Sequence, residues 1–134
     1  MSQGNVERIR EVVAAMNRGD FETALERSHP DVEWQALDVF PEAETHHGRE
    51  GLRAFFKTWF ETFRGFQVHL EKCEALDEHR VIAMVRVSGE GAESGVEVAS
   101  PPFFQLFELR DGLLIRARMF QTESEALEAA GLSE

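Results

Sequence analysis

Apolar side chains recur at helical spacing at Val6, Ile9, Val13 and Met16, which predicts a first helix. Asn5 stands where its side chain can accept hydrogen bonds from the first free amides, and Gly19 offers a stop that tolerates positive φ. Asp20 is placed to cap a second, shorter helix that turns Phe21, Ala24 and Leu25 inward. That helix ends at "SHPD", residues 28 to 31, because the residue before Pro30 is pushed out of helical geometry. From Asp31 the period changes to two: Val32, Trp34 and Ala36 share one side, and Glu33, Gln35 and Leu37 the other, as in a half-buried strand. The segment from Asp38 to Thr45 contains Pro41 and has no clear period, so a loop with a brief return strand is expected there.

The strongest pattern follows. Leu52, Phe55, Phe56, Trp59, Phe60 and Phe63 make a wide apolar stripe at helical spacing, which needs a large apolar partner, and Gly65 is expected to close this third helix. Beyond it the chain reads as strands over Phe66 to Glu74, Arg80 to Gly89, Ser94 to Ser100, Phe103 to Leu109 and Leu113 to Phe120. The turns "DEH", "GEGAE", "PP" and "RDG" separate them, so antiparallel neighbours are expected. Thr122 and Glu125 can form a reciprocal capping box ahead of a short helix with Ala126, Leu127 and Ala130 on one face, stopped by Gly131. Phe103, Phe104, Leu106 and Phe107 put apolar groups on both faces of one strand. Since helices can cover only one side of a sheet this small, the other side is expected to pack against a second copy.

Length and composition narrow the class. A chain of 134 residues is expected to form one domain, residues 1 to 134, with a real core. Hydrophobic residues make up 43% and charged residues 29%, with no apolar run near the roughly 18 residues needed to cross a bilayer and no basic-then-apolar leader at Met1. Cys73 is the single cysteine, which fits a reducing cytoplasm and a buried strand thiol and leaves no cysteine-rich zinc site. The formal net charge of -11 repels phosphate backbones and anionic membrane surfaces, so neither nucleic acid nor a membrane is an expected partner.

The order of elements, together with "NRGDFETALERSHPDVEW" at 17 to 34, "HGREGLRAFF" at 47 to 56, "SGVEV" at 94 to 98, "LRDGLLIRARMF" at 109 to 120 and "EALEAAGL" at 125 to 132, resembles the SnoaL-like polyketide cyclase group. That group lies within the nuclear-transport-factor-two-like superfamily. The resemblance implies an α+β fold: a curved antiparallel sheet wrapped around three N-terminal helices as a cone-shaped barrel, with a short C-terminal helix. It also implies an apolar pocket at the wide end of the cone and frequent dimerisation through the sheet. Because the superfamily holds isomerases, hydrolases, dehydratases, cyclases and pure binders, function must be argued from pocket residues.

His46 and His47, if extended, point to opposite faces and cannot share one ion, so no metal site and no cofactor are expected. One of them can instead face the pocket and move a proton at physiological pH; His29, His69 and His79 read as structural or solvated. Asp38 continues the facing of Trp34 and Ala36, and a carboxylate at an apolar pocket mouth has its pKa raised toward general-base values. Gln105 shares a face with Phe107 and Leu109 and could orient a carbonyl or hydroxyl, while Arg118, on the face of Arg116 and Phe120, would select an anionic group. Trp34, Phe55, Trp59, Phe107 and Phe120 complete the candidate substrate-binding set. The chain has no tyrosine, which removes the hydroxyl donor on which the isomerases and dehydratases of this superfamily rely.

Three readings follow. One is a cofactor-independent acid/base enzyme of cyclase, isomerase, lyase or hydrolase type, acting on an apolar carbonyl or epoxide-like metabolite with Asp38, His46 and His47 as catalytic candidates. The second is a non-catalytic binding module for an apolar metabolite. The third is a dimeric interaction scaffold whose cavity is filled by its own phenylalanines.

Overall fold

The computed structural model describes residues 2–35 and 45–131 of the chain. Within them the elements run α1 (Ser2–Asn17), α2 (Phe21–Glu26), β1 (Ser28–Gln35), β2 (Thr45–His47), α3 (Gly48–Thr62), β3 (Phe63–Ala75), β4 (Arg80–Gly91), β5 (Glu97–Ala99), β6 (Phe103–Arg110), β7 (Leu113–Phe120) and α4 (Glu123–Ala129). The expected loop from Asp38 lies, up to residue 44, outside the described residues. The α+β reading holds: one open sheet in the order β2-β1-β7-β6-β4-β3, with β5 beside β4, curves around α1 to α3. The strands of the meander are antiparallel, whereas β1 lies parallel to β7, with Trp34 opposite Ala117.

The curvature has a local cause. Register shifts interrupt β3 against β4 between Arg64 and Gln67 and again between Leu70 and Lys72, β6 against β7 between Glu108 and Leu109, and β1 against β7 between Ser28 and Glu33. Each such bulge bends its strand and increases the local twist, so a sheet with four of them wraps. Gly65 sits in the first of these with φ +61. It therefore serves a strand bulge rather than the end of α3, which stops at Thr62. Phe63, counted in sequence as the last residue of the helical stripe, already has extended geometry as its C-cap.

The helices are pinned by side chains that complete backbone pairing. Asn17 lies at the end of α1 and acts as a missing strand partner for β3: its Nδ2 donates to the Val68 carbonyl at 2.9 Å and its Oδ1 accepts from the Val68 amide at 2.8 Å. Asn5 does not cap α1, because the helix begins earlier, at Ser2. From within the helix its Nδ2 donates to the Glu78 carbonyl at 2.7 Å and ties α1 to the β3–β4 turn. Asp20 caps α2 through the Thr23 amide at 3.2 Å, and Thr122 and Glu125 form the expected capping box of α4. In the β3–β4 turn, burial alone would raise the Asp77 pKa, but hydrogen bonds from Arg80 and from the His79 and Arg80 amides outweigh it and hold the carboxyl below its usual range.

The inner face carries the main core, with Val32, Trp34, Leu52, Phe56, Val81, Val85 and Phe107 among its buried members. The outer face is covered in part by the chain itself. Ile82 and Leu106 are neighbours in register and buried, α4 packs on β6 and β7, and its Ala126 and Ala130 are buried too. Farther along the same face, Met84, Phe104 and Phe120 form a half-buried row across β4, β6 and β7. Cys73 is half-buried on β3, where burial pushes its thiol pKa up and makes the thiolate scarce.

Asn17→Ala leaves the Val68 amide and carbonyl without partners at a largely buried site. A loss of about 1–3 kcal/mol is expected in urea unfolding, with an unchanged m-value.

Candidate functional site

The corner that builds the site is made by "HHG". β2 pairs with β1 so that His46 stands opposite Trp34 and His47 opposite Glu33. Alternation along the strand therefore puts His46 on the inner face and His47 on the outer one. Gly48, at φ +74, turns the chain sharply from β2 into α3, and Arg49 reaches back to donate twice to the Ser28 carbonyl, at 3.0 and 2.8 Å. The aromatic stripe of α3 is thereby aimed into the concave face. Phe55 packs on Trp34 at 5.8 Å and Phe56 meets it edge-on at 5.9 Å between ring centroids.

Between α3, α1 and the sheet lies a cavity of about 40 Å³, walled by hydrocarbon from Phe55, Phe56, Trp59, Phe66, Phe103 and Met119, among others. That is room for roughly three water molecules, well short of the several hundred Å³ of a pocket shaped around a large ligand. Trp34 and Gln105 bring polar groups to this wall. Trp34 is 3% exposed and Gln105 2% exposed, and the indole Nε1 and the amide Nε2 are both buried with no hydrogen-bond partner among the described residues. His46, half-buried with its ring 4.7 Å from that of Phe55, has a buried Nε2 in the same condition.

The sequence candidates separate by strand face. Trp34, Phe55, Trp59 and Gln105 line the cavity. Phe107 is buried against Trp34 at 6.4 Å and is not part of the wall. His47 is 70% exposed and faces Glu33, with Nδ1 to Oε1 at 3.6 Å. Asp38 lies outside the described residues. Arg118 and Phe120 are on the outer face: Arg118 lies opposite Leu106, approaches Glu108 at 3.5 Å and stands 5.8 Å over the Phe120 ring. Desolvation first, and then the neighbouring charge of Arg116, press the Arg118 pKa below the usual arginine range, against the pull of Glu108. Its distance from the cavity follows from one residue of alternation, because Met119 is the β7 side chain that points inward, opposite Gln105. Val13 and Met16, placed by sequence in the core, also line the cavity, as do Phe60 on the α3 stripe and Phe66 on β3. Among the described residues no group of three or more His, Cys, Asp or Glu could hold a metal ion, and no helix is long and apolar enough to cross a membrane.

The family model described as "SnoaL-like domain" matches residues 9–117, which span α1 to β7. The chain belongs to the SnoaL-like family. Among solved structures, this SnoaL-like chain is similar to Bal32a from a soil-derived mobile gene cassette, at 26% identity and TM-score 0.78, covering 96% of each chain. It is also similar to a candidate SnoaL-like polyketide cyclase from Jannaschia sp. CCS1, at 24% identity and TM-score 0.75, covering 100% of this chain and 95% of that one. A third is TerC co-crystallized with polyporic acid, at 21% identity and TM-score 0.74, covering 93% and 96%. No curated protein matches the chain.

A buried amide without a partner costs the folded state about 1–3 kcal/mol, and an apolar replacement of similar shape removes that cost. Gln105→Leu is therefore expected to raise the midpoint of thermal unfolding. A structural role for Gln105 predicts the opposite sign in the same calorimetric scan.

Proposed function

We propose that this SnoaL-like protein binds a small, largely apolar molecule through an oxygen that accepts hydrogen bonds. The observation that carries the reading is the Trp34 indole N–H, buried in a hydrocarbon wall beside the equally unpartnered Gln105 amide. An indole N–H can only donate, so its natural partner is a carbonyl or epoxide-like oxygen rather than a group that must itself donate. A ligand that supplies the acceptor recovers, on binding, the interaction the empty protein lacks. Entry of anything longer than a few atoms requires Trp59, Phe66 and Val87 to yield, since these three also line a second apolar hollow of about 150 Å³.

Both tryptophans of the chain line the cavity, so their emission reports on its occupancy. Acetophenone is expected to change that emission saturably. Gln105→Leu, although more stable, is expected to weaken binding by about tenfold, the loss of roughly one hydrogen bond. An unchanged affinity in that variant would remove the basis of the reading.

A second reading, acid/base catalysis, is favoured by His46. It is the histidine on the Trp34 face, and its unpartnered Nε2 could take a proton from carbon next to a carbonyl whose oxygen is held by neutral donors. If so, the wild type accelerates exchange of the acetophenone methyl protons in deuterium oxide, followed by proton NMR. His46→Gln then abolishes the acceleration while leaving the emission titration intact.

The outer-face row of Met84, Phe104 and Phe120 supports a homodimer through the sheet, since half-buried apolar side chains contiguous across three strands suit a second copy. Native mass spectrometry is expected to give a dimer for the wild type and a monomer for Phe104→Glu. A wild-type monomer would refute this arrangement.

A further inference from the structure

We infer that the ligand carries a positive charge at the end left facing solvent, and that an apolar vestibule with an acidic rim selects for it; the inference rests on the binding reading above. The vestibule is the hollow of about 150 Å³ on the far side of Trp59, walled by Trp59, Phe63, Phe66, Val87 and Val98. Two serines also reach it, but both are engaged. The Ser100 hydroxyl accepts from the Val87 amide at 3.0 Å, and the Ser88 hydroxyl meets His69 Nε2 at 2.9 Å. The surface the vestibule exposes is hydrocarbon, so it suits an apolar body.

Its aromatic wall is continuous. Trp59 and Phe63 stack at 5.7 Å with 20° between planes, and Phe63 and Phe66 at 5.7 Å with 26°. Ring faces attract cations and disfavour anions. The grooves that open on either side of the vestibule share Phe63, Ser88, Gly89 and Val98 with it and carry Glu61, Glu90, Glu93 and Glu97 against a single basic residue, Arg64. Arg64 is already used: it pairs with Glu90 at 3.7 Å and donates to the Ala92 carbonyl at 2.7 Å. Glu61, Glu93 and Glu97 have no ion-pair partner among the described residues, and Lys57, one turn before Glu61 on α3, forms no pair with it. The C-terminal end of α3 also points its negative pole here, with no basic residue in its last turn. A carboxylate or phosphate at the mouth would meet a net negative rim, whereas an ammonium group would find aromatic faces and three carboxylates that have no ion-pair partner among the described residues. The class so defined is an apolar amine: an acceptor oxygen at the deep end, a hydrocarbon or aromatic body across Trp59, and a cationic head at the rim.

The test uses three acetophenones with nothing, a trimethylammonium-methyl or a carboxymethyl group opposite the ketone, titrated by tryptophan emission. Salt is held at about 0.02 M and then about 0.3 M, to span weak and strong screening. At low salt the cation is expected to bind about tenfold more tightly than the carboxylate, with the neutral ketone between them, and the spread should shrink at high salt. In the Glu61→Gln, Glu93→Gln, Glu97→Gln triple variant, shown folded by circular dichroism, the spread should collapse while the neutral ketone keeps its affinity. Equal binding of the three, tighter binding of the carboxylate, or a preference that survives in the triple variant overturns the inference and leaves the binding reading standing. Failure of all three probes, the neutral ketone included, overturns both.

Discussion

The structure depends on one requirement: the aromatic face of α3 has to leave water. Leu52, Phe55 and Phe56 are buried, and burying each contributes roughly 1.5–3 kcal/mol, a large share of a net stability of about 5–15 kcal/mol. A flat sheet would touch only one row of such a face, so the strands bend around it at their bulges. The helix is fixed at both ends, by Arg49 on the Ser28 carbonyl and by the Ala92 amide donating to the Thr62 carbonyl at 3.0 Å. With its ends held and its rings stiff and planar, α3 packs against the curved sheet without filling it completely, and the small cavity is what remains.

Polar groups inside that apolar volume run against the stability of the fold. Trp34 and Gln105 each sit at a strand position paired with a neighbour on both sides, so neither side chain is needed to hold the sheet there. A phenylalanine and a leucine would serve packing better. On the binding reading proposed above, the two unpartnered nitrogens are where stability is exchanged for the capacity to receive an acceptor, the usual relation between a binding site and its scaffold.

The two faces of β6 and β7 show how finely that place is defined. Gln105 and Met119 meet on the concave side, while Leu106 and Arg118, each a single residue away, meet on the convex side, with Arg118 beside Glu108. A one-residue shift of register would carry the arginine into the cavity and the amide out of it. The same alternation separates His46, against Phe55, from His47, beside Glu33. Face assignment rather than residue type decides which groups can take part in chemistry.

Much of the architecture was legible because it is written in local periods. The α3 stripe, the meander strands, the Asp20 cap and the Thr122–Glu125 box depend on spacings of a few residues, and all appear close to where those spacings put them. Asn5 and Gly65 were misread because their residue types suit two tasks, and only distant partners choose between them: the Glu78 carbonyl for one and the bulge against β4 for the other. The packing of α4 on β6 and β7 was also hidden, since a short helix gives no sign of the strand on which it will lie.

The sequence by itself determined the class of fold, the opposite facing of the two histidines and the apolar character of the interior, because these follow from hydrophobic period and backbone geometry. The tertiary structure alone decided that β1 lies parallel to β7, that Gln105 and Trp34 look into one cavity while Arg118 looks away, and that the space left is small. Those outcomes depend on strand register and on the volume remaining between rings. Both are set by contacts between residues far apart in the chain, which no local pattern encodes.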